Sequence, residues 1–208
     1  MQILRRDEFK PSLWKNGGGR THEVFRVPAA GDPFRWRLSL AEVGLSGPFS
    51  DFAGYQRLLI LLDGAFALRF SNGERRRLSG VGDLVKFDGA LGVDCELTGR
   101  ASTDLNLIVS NAIAGVRASV VSLAAPLAVH LVPGVTLAIF AVAGAVKVSR
   151  EDSAGDASEG TAELAPWDAA VDLGGTGRVV RLATASSSAP AQVFCAEFSD
   201  TGALPLSQ

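Results

Sequence analysis

Leu58-Leu59-Ile60-Leu61-Leu62-Asp63-Gly64-Ala65-Phe66-Ala67-Leu68-Arg69 has a counterpart later in the chain. Ala138-Ile139-Phe140-Ala141-Val142-Ala143-Gly144-Ala145-Val146-Lys147-Val148-Ser149 repeats its pattern. Each copy is an apolar run, one glycine and a second, alternating run. Short apolar runs bounded by turn signals read as buried strands, and alternation reads as a strand with one wet face. Asp63-Gly64 is a strong hairpin signal. Each copy continues into a polar tip, Ser71 to Arg77 and Glu151 to Gly160, and then into an Asp-led return around Asp83 and Asp168. The glycine-to-aspartate interval is 19 residues in the first copy and 24 in the second. The excess fits the longer acidic, Ser/Gly-rich tip between Arg150 and Thr161. Such an internal repeat predicts two β modules of about one hundred residues each. We place them at residues 1–112 and 113–208.

Outward from the repeat, the chain keeps the same character. Phe34 to Val43 reads as a strand with Trp36, Leu38 and Leu40 on one face and Arg35, Arg37 and Ser39 on the other. Leu84 to Phe87, Leu105 to Val109 and Val193 to Phe198 are further strands, and Ala183 to Gln192 is a surface loop. One short helix is expected within Arg5 to Leu13. The fold class is therefore all-β. Strand–Gly–strand followed by Gly-Asp-apolar-x-Phe is the cadence of a cupin module, a small jelly-roll barrel. Two such modules in one chain make a bicupin.

Composition excludes several classes of function. The chain has 208 residues, with 20 Lys and Arg against 22 Asp and Glu. No basic stripe suggests nucleic acid, and Arg75-Arg76-Arg77 reads as a solvated hairpin tip. Cys95 and Cys195 form no C-x-x-C pair and read as buried thiols. No segment approaches the roughly 18 apolar residues that span a bilayer. The start, Met1 to Arg6, lacks the apolar stretch of a signal peptide. A soluble cytoplasmic protein, with no membrane or nucleic-acid partner, is the expectation. Metal sites need three or four converging ligands. The histidines are His22 and His130 alone, with no His-x-His, so neither metal nor cofactor is expected.

Trp14-Lys15-Asn16-Gly17-Gly18-Gly19-Arg20-Thr21-His22-Glu23-Val24 is the candidate site segment. Lys15 precedes the glycines, unlike a P-loop. Gly17 and Gly18 suit close approach by a ligand or another backbone. Polar residues also stand where a barrel interior would be apolar: Arg37 and Ser39, Arg57, and Asp104 and Asn106 flanking Leu105. A buried Arg, Asp or Asn is costly unless paired. Arg37 and Arg57 have Glu23, Glu42 and Asp104 as available partners, and an unpaired guanidinium offers a bidentate clamp for a carboxylate. A small anionic or amide-bearing ligand is the economical reading.

The blocks Trp14 to Val24, Trp36 to Val43, Gly47-Pro48-Phe49-Ser50-Asp51-Phe52-Ala53-Gly54-Tyr55-Gln56-Arg57 with Leu61 to Gly64, Phe87-Asp88-Gly89, and Asp104-Leu105-Asn106-Leu107 together resemble the signature of the HutD/Ves family. Their order and spacing cover most of residues 1 to 110. The resemblance implies a metal-free bicupin associated with histidine utilisation or stress response. It also implies binding of N-formyl-glutamate, with a regulatory role. One departure is Tyr55-Gln56-Arg57, where the family usually has Ile/Val-Asp-Arg, so an acidic group is lost at Gln56.

The leading expectation is thus a small-molecule-binding bicupin. Lys15 and Arg57 would meet carboxylate. Asn16, Thr21 and Ser39 would hydrogen-bond a polar group. Trp14, Phe49 and Phe87 would wall the pocket, and Glu23, Asp104 and Asn106 would hold the cations or read an N–H. The alternative is a metal-free cupin isomerase, epimerase or hydrolase with His22 or Glu23 as base. Sheet edges in jelly rolls are often covered by dimerisation, so a homodimer is expected.

Overall fold

A computed structural model describes residues 1–29, 31, 33–152, 160–174, 177–186 and 190–199. Most of the second polar tip, and Ser187 and Ser188 of the expected surface loop, lie outside these residues. The chain divides into two compact units, Arg5–Asn111 and Met1–Leu4 with Ala112–Gln208. The first strand, β1 (Gln2–Leu4), therefore belongs to the second unit, against the placement of residues 1–4 in the first. Its backbone pairs with Ala169, Ala170 and Val171 there.

The first unit runs β2 (Lys10–Leu13), β3 (Gly19–Val27), β4 (Trp36–Val43), β5 (Gly47–Pro48), β6 (Tyr55–Asp63), β7 (Phe66–Phe70), β8 (Arg75–Leu78), β9 (Leu84–Asp88), β10 (Val93–Leu97) and β11 (Ser102–Ser110). They form a six-stranded sheet, β2-β3-β4-β11-β6-β9, and a four-stranded sheet, β5-β10-β7-β8. The second unit runs β12 (Ala114–Leu123), β13 (Leu127–Leu131), β14 (Val135–Ala143), β15 (Val146–Asp152), β16 (Thr161–Leu164), β17 (Ala169–Asp172), β18 (Arg178–Thr184) and β19 (Ala191–Ser199). Its sheets are β1-β17-β14-β19-β12 and β13-β18-β15-β16. Shifted by eight strands, β4 to β11 and β12 to β19 have the same order in both sheets. Two jelly-roll modules share one topology, and the fold is all-β, of the cupin type.

The quoted repeat sits at the same place in each module. In β6, Asp63 pairs with Thr103 and Leu61 with Asp104, so Leu62 is an extra residue. In β14, Ala143 pairs with Gln192 and Ala141 with Val193, so Val142 is extra. A bulge of this kind bends its strand. The following glycine turns the chain with φ of +79° at Gly64 and +70° at Gly144. A Cβ on Gly64 would stand 2.8 Å from Ser102 backbone, and one on Gly144 would stand 3.1 Å from Ala191 backbone. Positive φ and close approach both require glycine here.

Two expectations change. The helix within Arg5 to Leu13 is a single 3-10 turn, Arg6–Glu8, followed by β2. Pro11 disfavours helical geometry at Lys10, and pairing with β3 takes the segment into the sheet. Arg75 to Arg77 form edge strand β8, paired with Ala67 to Arg69, and are not a loop tip. Charged side chains on an edge discourage pairing with another chain.

Between its sheets the first unit buries Val43, Leu59, Leu61, Phe66, Leu68, Leu78, Val93 and Cys95. The second buries Leu137, Ile139, Ala141, Val146, Val148, Val180, Val193 and Cys195. Both cysteines are free and buried. Burial pushes each thiol up to about 12.

Candidate functional site

Strand alternation decides which side chains meet. Across the six-stranded sheet the register aligns Lys10, Glu23, Ser39, Asn106 and Leu59 in one row. A second row holds Ser12, Thr21, Ala41, Asp104 and Leu61. A third holds Arg37, Ile108, Arg57 and Phe87. Directly opposed residues lie about 4.5–5.5 Å apart and diagonal ones about 7–8 Å, within reach of long side chains. The polar residues of the sequence thereby become one surface.

That surface floors a cavity of about 750 Å³. Its lining includes Trp14, Lys15, Asn16, Thr21, Glu23, Arg37, Ser39, Phe49, Arg57 and Asn106 from the expected set. Lys10, Ser12, Leu13, Ala41, Pro48, Ser50, Phe52 and Ile108 join them. Lys10 and Ser12 were missed because their segment read as helix. Alternation along β2 puts both on the cavity side once it is a strand. Ser50 and Phe52 belong to the loop after β5, whose path sequence periodicity does not reveal.

Arg57 is the centre of the arrangement. It is 5% exposed. Its Nη2 donates to Asn106 Oδ1 at 2.8 Å, and its Nη1 donates to the Ser50 carbonyl at 3.1 Å. Asn106 Nδ2 donates to Asp104 Oδ1. The polarity of this chain is forced. A guanidinium only donates, so the amide oxygen must face Arg57 and the amide nitrogen must face an acceptor. Rings of Phe49, Phe52 and Phe87 lie 5.6, 5.3 and 5.1 Å from the guanidinium carbon. Arg37 stands over Phe34 and Phe52, at 5.1 and 5.4 Å. Aromatic faces attract cations without neutralising them. The Nε atoms of both Arg37 and Arg57 are buried with no hydrogen-bond partner among the described residues. Burial pulls both guanidinium groups down, Arg57 to about 10. Asp104 is wholly buried, and burial raises its carboxyl to about 7 against the opposing pull of Arg57.

Trp14 is fixed by a 2.8 Å hydrogen bond from its indole Nε1 to Thr21 Oγ1 and by an edge contact with Phe49. The glycines serve this hairpin. Asn16 Oδ1 accepts from the Gly18 amide at 3.0 Å, and the Gly18 carbonyl accepts from Gly44 and Leu45 amides. A Cβ on Gly19 would lie 2.3 Å from the Glu42 carbonyl and 3.1 Å from the Trp14 ring. The close approach is thus to the protein's own backbone.

Four expected site residues do not line the cavity. Gly17 and Gly18 are in the turn, with Gly17 in the left-handed region at φ +70°. Phe87 stacks on Arg57 from behind, and Asp104 lies beneath Asn106. Of the expected partners for the arginines, Asp104 reaches Arg57 through Asn106, and the Glu23 carboxylate supports the charge of Arg37. Glu42 lies on the other face, 2.8 Å from His22 and 3.0 Å from Arg20. Glu23 lies 3.6 Å from Arg26. His22 therefore turns away from the cavity, because it alternates with Thr21 and Glu23. Gln56 also lies outside it. His130 is exposed on β13.

At the equivalent positions of the second module, counted from the bulge glycine, Arg57, Asp104 and Asn106 become Leu137, Val193 and Cys195. These three positions are apolar there, while Asp172, opposite Leu137, is buried in a pair with Arg178. Among the described residues no group of three metal-ligating side chains converges, and no helix is long and apolar enough to cross a membrane.

Comparison with known proteins gives this geometry a context. A Pseudomonas putida protein described as an uncharacterized 21.2 kDa protein in the hutC 3' region is 42% identical over 109 residues, 52% of this chain and 57% of its own length. Protein Ves of Cronobacter sakazakii is 36% identical over 47% of this chain and 54% of its own. The matches to these curated relatives thus span little more than half of their length. A conserved Pseudomonas aeruginosa PAO1 protein of unknown function superposes with TM-score 0.82 at 33% identity, over 95% of this chain and 97% of its own. HutD from Pseudomonas fluorescens SBW25 (formate condition) gives 0.76 at 28%, over 94% and 97%. Oxalate decarboxylase of Bacillus subtilis gives 0.63 at 10%, over 96% and 77%, a likeness of fold alone. The HutD family model matches residues 6–188, and the chain belongs to that family.

Proposed function

We propose that the first module binds a small carboxylate or formyl-amino acid, such as N-formyl-glutamate, and that the protein thereby regulates histidine catabolism. The observation that carries this reading is the Arg57 guanidinium. It is buried, walled by three aromatic rings and anchored from behind by Asn106; it lines the cavity, and among the described residues no carboxylate forms an ion pair with it. An anion is the partner that such a donor lacks. Lys15 at the same cavity supports a second contact to carboxylate. Asn16, Thr21 and Ser39 supply hydrogen bonds, and Glu23 supplies an acceptor for an N–H. The hut-region relative supports the metabolic setting.

Titration calorimetry with N-formyl-glutamate, glutamate and formate tests the reading. Wild type should bind at least one of them, and Arg57→Met should abolish the heat. Ligand at one hundred times Kd should also add about 2.7 kcal/mol to stability. No heat at millimolar ligand, with an unchanged melting temperature, rejects the proposal.

A further inference from the structure

The hydrogen-bonded chain behind Arg57 ends at a carboxyl group that never reaches the cavity. Asp104 Oδ1 accepts from Asn106, which accepts from Arg57. Asp104 Oδ2 is buried and has no hydrogen-bond partner among the described residues. A buried carboxylate oxygen with no donor is costly, and a hydroxyl at the same place costs less. From this geometry we infer that Asp104 is a proton-linked positioning residue. It holds Asn106, Asn106 holds Arg57, and an anion bound at Arg57 draws a proton onto Asp104. The inference rests on the anion-binding reading above.

The physical reason is competition for one cation. An ionised Asp104 and a bound carboxylate would share the single buried charge of Arg57. Like charges around a shared cation repel, and burial leaves little water to screen them. Protonation at Oδ2 removes the repulsion without breaking the chain, since Oδ1 still accepts from Asn106. The titratable groups that face Asp104 are Arg57 on β6 and Cys95 on β10 of the opposite sheet. Arg57, pulled down only to about 10, stays charged near neutrality. The Cys95 thiol, pushed up to about 12, stays neutral. Lys10, Lys15, Glu23 and Arg37 face the cavity. Asp104, at about 7, is the group poised to change state.

The sign follows from linkage. A bound anion raises the carboxyl value above that of the free protein, so the complex holds the proton more tightly. Affinity is then flat below about pH 7 and weakens above it, by up to about tenfold per pH unit until the value in the complex is passed. The carboxylates of N-formyl-glutamate are ionised throughout, since such groups titrate near 3.5–4.5, roughly.

The experiment is calorimetry of the full chain with N-formyl-glutamate at pH 6.5, 7.5 and 8.5, in buffers of different ionisation enthalpy, for wild type and Asp104→Asn. Wild type should take up part of a proton on binding near pH 7.5, and Kd should weaken by at least about threefold from pH 6.5 to 8.5. Asp104→Asn, neutral at every pH, should bind with a flat profile and no uptake. Should that variant fail to fold, carbon-13 titration of the aspartate carboxyls in wild type reads the same event. One buried carboxyl should shift its midpoint upward on ligand addition. A flat wild-type profile without uptake, an Asp104→Asn variant that keeps the wild-type profile, or a carboxyl midpoint indifferent to ligand each overturns the inference and leaves anion binding intact. Absence of binding at every pH overturns both.

Discussion

Replacing Arg57 by leucine should cost far more than the side chain's own contacts, and the second module shows how to recover the loss. Arg57→Leu leaves Asn106 Oδ1 without its donor and Asp104, wholly buried, without its cation. Breaking a buried ionic arrangement by removing one partner costs about 3–5 kcal/mol. The penalty should depend on pH. Burial holds the Asp104 carboxyl at about 7, above its unfolded value near 3.9. The native state therefore keeps this proton longer than the unfolded chain does. The stability it confers is greatest below the unfolded value and is lost as pH rises to about 7. Without Arg57 the carboxyl rises further, and the loss continues past 7. At about 1.4 kcal/mol per pH unit, the penalty should grow by about 1 kcal/mol between pH 7 and pH 8. The triple variant Arg57→Leu/Asp104→Val/Asn106→Cys installs the side chains of Leu137, Val193 and Cys195. Replacing a buried ionic set by apolar residues is often neutral or stabilising, so the triple variant should return to within about 1 kcal/mol of wild type and lose this pH dependence. Urea unfolding followed by circular dichroism measures all three proteins. A single variant within about 0.5 kcal/mol of wild type, or a triple variant as unstable as the single, refutes the reasoning.

Two further outcomes are expected. Gly19→Ala drives a Cβ into the Glu42 carbonyl and the Trp14 ring, so it should cost about 1–3 kcal/mol and weaken N-formyl-glutamate binding in calorimetry by displacing Trp14 and Lys15. Arg178→Met breaks the buried pair with Asp172 in the second module. It should destabilise by about 3–5 kcal/mol in urea while leaving the calorimetric affinity of the first module unchanged.

What the chain's own pattern determined is local and periodic. The two strand–glycine–strand copies determined the all-β class and the repeated module, because apolar runs must be buried and a tight turn needs a residue free of Cβ. Polar side chains at Arg37, Ser39, Arg57, Asp104 and Asn106 identified an unusual interior, since each breaks an otherwise apolar alternation. Only tertiary structure decided the rest. Cross-strand register, which sequence spacing does not encode, set Glu23 beside Ser39 and Asn106 and turned His22 to Glu42 on the other face. The two glycines read as ligand contacts sit in the hairpin turn, Gly17 at a positive φ and Gly18 bonded to Asn16 and to the Gly44 and Leu45 amides, partners that only the folded chain brings together. Lys10 and Ser12 entered the cavity wall because β2 found a partner in β3, a gain in hydrogen bonding that overrides weak helical tendency in a short segment. The order in which Asp104, Asn106 and Arg57 join hands came from folding as well. Three residues spread over two strands become a directed chain only when folding brings donors and acceptors within reach in the buried interior.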